Sequence, residues 1–115
     1  MASEIRVVFD AWTAKRGRPS RLTALHEALI ADRLERGFKV ADLTTLFDYA
    51  WEATNSDARW WRGDNPKGKR YLGLENLFRL TKLRARIANA NAWRWHCEQV
   101  EAGAILGPLG DLRQR

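Results

Sequence analysis

The sequence predicts an all-α fold, a compact single-domain bundle of about five helices with a long basic loop before the last two. Three observations carry this expectation. Apolar residues recur at i, i+3, i+4 and i+7 in successive segments. Period-two alternation is never sustained, and Ala and Leu outnumber Val and Ile. Gly and Pro fall mainly between the periodic segments. At 115 residues, with 45% hydrophobic and 30% charged side chains, the chain has the size and composition of one domain with a proper core.

The first helix is expected to begin at Ser3 as N-cap, with Glu4 in its first turn. Ile5, Val8, Phe9 and Trp12 form one apolar face, and KRGRPSR (15–21) ends the pattern at Gly17 and Pro19. A second helix is predicted from about Thr23 to Arg36, with Leu22, Leu25, Leu29, Ile30 and Leu34 as a buried stripe. Glu27, Asp32, Arg33, Glu35 and Arg36 are expected in solvent, Gly37 as a left-handed C-terminal cap, and Phe38 as the hydrophobic contact beyond it. A third helix should cover Val40 to Ala53, facing inward through Val40, Leu43, Leu46, Phe47 and Ala50, with Trp51 on the margin.

Residues 54–70 (TNSDARWWRGDNPKGKR) read as a loop with room for a short helical turn around Ala58–Arg62. A loop of this length inside a small domain is often functional. A short helix from about Leu74 and a long one from Leu80 to Glu101 follow, the latter facing inward through Leu80, Leu83, Ile87, Ala90 and Trp93. Trp12, Trp51, Trp93 and Trp95 all fall at or near helix faces directed at the core. Gly103 is the expected stop, so the helical domain spans 1–102 and an irregular tail spans 103–115.

Several functions are excluded by what the chain lacks. No apolar run reaches the length of a membrane span, and the N-terminus has neither the basic nor the apolar region of a signal peptide. Cys97 has no second cysteine to pair with, which agrees with a reducing cytoplasmic setting. His96 and Cys97 are adjacent and diverge by about 100° on a helix, so no metal site is expected. GDNPKGK (63–69) only superficially resembles a phosphate-binding loop, because Arg70 stands where Ser or Thr is required and no strand precedes it. No G-x-S-x-G motif is present. The expectation is a protein without catalytic machinery and without a cofactor.

The charge distribution is the strongest functional signal. The net charge is +6. Residues 1–57 hold 8 basic and 9 acidic side chains, residues 58–86 hold 9 and 2, and residues 87–115 hold 3 and 3. The whole excess therefore lies in 58–86. Arg59, Arg62, Lys67, Lys69 and Arg70 stud the loop, while Arg79, Lys82 and Arg86 share one helix face and Arg84 lies off it. Such a loop-plus-helix surface suits a phosphate backbone, and Arg16, Arg18 and Arg21 would extend it. A merely solvated face or an acidic protein partner are the competing readings. Trp60 and Trp61 stand inside this basic region. One of them is expected to close the core, and an exposed one would stack on an unpaired base or anchor a protein partner.

The order of these elements also resembles a known family. VFDAWTAKRGRPSRLT, LIADRLERGFKVADL, a Trp-bearing segment and RYLGLENLF are together similar to the conserved C-terminal domain of bacteriophage replication proteins of the replisome-organiser or helicase-loader type. Phe9 and Trp12 match its first helix, and Lys15, Gly17 and Arg18 its turn. Ile30, Arg33, Leu34, Glu35, Gly37 and Phe38 match the end of its second helix, and Asp42 the aspartate that follows. Trp60 or Trp61 stands for its tryptophan, and Tyr71, Leu72, Leu77 and Phe78 match its last motif. The likeness covers about 5–90. Asn76 replaces the pattern's threonine, and its proline after Tyr71–Leu72 is missing. In that family the domain usually follows a winged-helix DNA-binding domain, which is not expected here. The resemblance implies a role in phage DNA replication inside a bacterial host, with nucleic acid and the replicative helicase or its loader as partners. A stand-alone domain would either serve replication or compete for the same partner.

Overall fold

The computed structural model describes residues 2–103, and among them every regular element is helical. The order is α1 (Ala2–Arg16), α2 (Ala24–Glu35), α3 (Val40–Glu52), α4 (Ser56–Trp61), α5 (Leu74–Leu77) and α6 (Leu80–Glu101). Apart from Gly103, the expected tail lies outside the described residues. None of the described helices is long and apolar enough to cross a membrane.

α1 buries Ile5, Val8, Phe9 and Trp12, as their spacing requires. It starts at Ala2, so Ser3 lies inside the first turn and is not the N-cap. Thr23 caps α2, its hydroxyl accepting from the His26 amide. At the other end Gly37 has φ +99°, Phe38 N donates to the Arg33 carbonyl and Gly37 N to that of Leu34. This is the glycine-terminated pattern that satisfies two otherwise orphaned carbonyls.

Most of the stripe expected on α2 holds: Leu22, Leu29 and Leu34 pack partly buried against the core, and Leu25 departs from it. The centre of the buried face is Ile30, which is fully buried, whereas Leu25 is 72% exposed. Leu25 precedes Ile30 by five residues and so points about 140° away on a helix. His26 and Arg33 share the Ile30 side instead. Arg33, expected in solvent, is half-buried, and its Nε donates to the Phe78 carbonyl at 2.8 Å.

α3 is the central element, burying Leu43, Leu46, Phe47, Tyr49 and Ala50. It packs most extensively on α6 and next on α1. Phe47 stacks on Phe78, with ring centroids 5.4 Å apart. On its outer side Asp48 ties three helices together, pairing with Lys15 of α1 at 2.9 Å and with Arg94 of α6.

Among the described residues six helices stand where about five were expected, because part of 54–70 folds. Asn55 caps α4 by accepting from the Ala58 amide, and Asp57 lies in its first turn. Gly63 closes it at φ +110°, with Gly63 N donating to the Trp60 carbonyl and Asp64 N to that of Arg59. Two strong caps stabilise a helix too short to show a period. α6 has the expected span and buries Leu83, Ile87 and Ala90. Leu80, expected inside, remains 38% exposed in the first turn, before the core layer that begins at Leu83. Trp95 is 58% exposed, since its direction is about 120° from that of Leu83.

Candidate nucleic-acid interface

The basic stretch is built on α4, the segment 62–73, α5 and the start of α6. One of its cations is structural. Arg62 turns inward and its two terminal nitrogens donate to the carbonyls of Ala50, at 2.9 Å, and Ala53, at 2.6 Å. These are two of the four carbonyls that the end of α3 leaves without helical partners. Arg62 therefore joins α4 to α3 and is not a free phosphate ligand, contrary to the sequence expectation.

Arg86 is likewise drawn into the fold and is not the open helix-face cation expected from the sequence. Its guanidinium lies 4.9 Å from the Trp61 ring centroid and donates to the Asn76 carbonyl. Burial, assisted by nearby Arg79 and opposed by Asp57, pulls it below its ordinary pKa. Trp61 is the tryptophan that closes the core, at 7% exposure, edge-on to Tyr49. Trp60 is its exposed neighbour at 48%. Arg59 forms an ion pair with Asp64 at 2.6 Å, and both side chains are more than half exposed. A pair of that kind contributes little to stability and partly cancels the Arg59 charge.

Five of the eight expected cations remain open. Lys67, Lys69, Arg70, Arg79 and Lys82 are exposed. Among the described residues none of them has a carboxylate within ion-pair distance. The loop that carries the first three is well organised. The Asn65 side-chain amide donates to the carbonyls of Trp60 and Lys69, and its oxygen accepts from the Lys67 and Lys69 amides. Gly68 completes the bend at φ +61°. One asparagine thus holds the hairpin-like turn from inside while the lysines project outward.

A seam of contacts connects this loop to α6. Tyr71 N donates to the Trp61 carbonyl at 2.7 Å, Asn76 Nδ2 donates to the Tyr71 carbonyl, and Arg86 reaches Asn76. The Lys69 ammonium sits 5.5 Å from the Tyr71 ring. Lys82 precedes Arg86 by one turn of α6, whereas Arg79 is the N-cap of that helix with non-helical backbone, outside the expected helix face but near enough to act on the Arg86 charge. Arg84, on another face, lies over Phe38. Arg70 turns toward the C-terminal end of α1, where it lines a cleft together with Arg16 and Arg18. Arg16 and Arg18 thus meet the basic stretch, as expected from the sequence, while Arg21 is not among the residues lining the cleft. No group of three or more His, Cys, Asp or Glu side chains among the described residues stands close enough to hold a metal ion.

What the arrangement offers chemically is an array of solvated ammonium and guanidinium groups on a rigid frame, beside one exposed indole. Comparison with protein-family models, with curated proteins and with solved structures finds no match for the chain.

Proposed function

We propose that this chain is a non-enzymatic accessory module of phage DNA replication, acting in the bacterial cytoplasm, that binds nucleic acid through Lys67, Lys69, Arg70, Arg79 and Lys82. The observation that carries the reading is that these five cations are exposed and, among the described residues, without a carboxylate partner, on a framed loop and at the start of α6. Exposed cations give up little hydration and release counterions from a phosphate backbone, which is the main source of strand affinity. The replication context rests on the residue pattern described above, whose members Arg33 and Phe78 are joined by a hydrogen bond.

The test is binding of fluorescent single- and double-stranded oligonucleotides at about 50 and about 200 mM salt. Neutralising four or five duplex phosphates predicts an affinity loss of about 100- to 500-fold across that range. The double variant Arg79→Gln/Lys82→Gln should weaken binding and flatten the salt slope by about two. An unchanged slope, or no binding at the lower salt, would overturn the proposal.

A second reading is favoured by one observation, the 48% exposure of Trp60. In this reading the module binds, or competes for, a replicative helicase or another host or phage factor. Trp60→Ala should then reduce capture of that protein from nuclease-treated host lysate by about 2 kcal/mol of binding energy. Capture that vanishes on nuclease treatment would leave only the nucleic-acid reading.

A further inference from the structure

A cleft of about 740 Å³ opens between the C-terminal end of α1, the start of α2, the end of α3 and the segment after α4. Its size falls in the range of small-ligand sites. Trp12, Arg16, Arg18, His26, Trp51 and Arg70 are among the side chains that line it; no Asp or Glu is part of the lining, and the Glu75 carboxylate lies 3.8 Å from the His26 imidazole. Three guanidinium groups from two distant parts of the chain thus converge on one concavity. Lys15 also lines it, but its ammonium is already shared between Asp48 and Glu52.

We propose that this cleft is a nucleotide site, with a phosphate held by Arg16, Arg18 and Arg70 and the base laid against Trp51. The proposal goes beyond the strand-binding reading, with which it shares only Arg70. Arg16 is pre-oriented: its guanidinium lies 4.6 Å from the Trp12 ring centroid, and Nη1 donates to the Ser20 hydroxyl at 3.3 Å. A guanidinium stacked on a ring keeps its in-plane N–H donors for an anion. Arg18 and Arg70 are exposed and have no carboxylate partner among the described residues. Fork-shaped donors of this kind match phosphate oxygens in a way that single ammonium groups do not.

The two tryptophans divide the remaining work. Trp12 is committed: its indole N–H donates to the buried Leu72 carbonyl at 2.9 Å, Arg16 lies over its face and His26 meets it edge to face. It is a wall. Trp51 is half-buried, and among the described residues no ring or cation stacks on it. Trp51 packs partly against the core and also lines the cleft, and an indole beside an arginine cluster is the combination that accepts a base and its phosphate together. Inorganic phosphate would use only half of the site.

The test uses the full chain with thymidine 5′-monophosphate, thymidine and inorganic phosphate, followed by calorimetry and by the indole N–H resonances. Thymidine monophosphate should bind saturably and shift the Trp51 resonance, with thymidine and inorganic phosphate each at least about tenfold weaker. Arg18→Gln, at an exposed loop position, should weaken the monophosphate about tenfold, as expected for one charged hydrogen bond. A six-residue oligothymidylate with a 5′-phosphate, compared with its 5′-hydroxyl form, identifies the source of the ligand. Tighter binding of the phosphorylated form assigns the site to a strand end, and equal binding of the two forms assigns it to free nucleotide. Either result supports the site once the monophosphate binds. Inorganic phosphate as tight as the monophosphate would overturn the role of Trp51, and no saturable binding would overturn the proposal. Neither result touches the salt slope of the Arg79 and Lys82 surface, so the two readings fail separately.

Discussion

Replacing Arg62 with Met keeps most of the aliphatic stem and removes only the head group that holds the end of α3. In the folded chain that head group donates to the carbonyls of Ala50 and Ala53 at 2.9 and 2.6 Å. Both alanines are buried, so a water molecule cannot simply replace the donor at either carbonyl. A hydrogen bond from a charged donor contributes about 1.5–3 kcal/mol, and an orphaned buried acceptor costs about 1–3 kcal/mol. Arg62 is only half-buried, which lowers the total, so Arg62→Met should lose about 2–4 kcal/mol. At roughly 4 °C per kcal/mol for a domain of this size, the melting temperature should fall by about 8–16 °C. Urea denaturation followed by far-ultraviolet ellipticity measures the loss directly. Lys67→Met removes the same unit charge from an exposed loop and should stay within about 0.5 kcal/mol of the parent. If Arg62→Met were equally silent, and weakened strand binding instead, the assignment of Arg62 to the fold would be wrong.

Two further predictions concern stability. Tyr49 is buried, and burial pushes its phenol above the ordinary pKa of 10.0, against the downward pull of the hydrogen bond from Asn55. The unfolded chain therefore releases this proton at lower pH than the folded one, so the contribution is complete below pH 10 and fades as pH rises toward the folded value. Urea midpoints between about pH 9 and about pH 11 should fall more steeply for the parent than for Tyr49→Phe, and parallel curves would contradict this. Gly63 holds φ +110° at the end of α4, where a side chain would meet ordinary contacts but a strained backbone. Gly63→Ala should cost about 1–3 kcal/mol in the same denaturation assay, while Gly68→Asn, at φ +61° in open space, should be nearly neutral.

Local chemistry in the sequence determined the long elements. The faces of α1 and α3, the glycine stop after α2 and the full span of α6 follow from side-chain periodicity and capping, which act over a few residues and need no tertiary partner. Periodicity could not show α4, since six residues make less than two turns; its only local signals were Asn55 and Gly63 at its ends. Leu25 lies outside the buried face of α2 for a different reason. Hydrophobicity favoured Leu25, but the contact with α1 and the Phe78 carbonyl selected the side bearing His26, Ile30 and Arg33.

Charge excess was likewise legible as a total and not as a set of free groups. Linear sequence placed nine cations on one stretch, and only packing decided that Arg62 and Arg86 would be drawn onto carbonyls and an indole. An arginine's destination depends on which backbone acceptors the fold leaves unsatisfied within its reach, and those acceptors do not exist until the helices meet. The same packing brought Arg70 to Arg16 and Arg18, across the three helices that separate them in the chain.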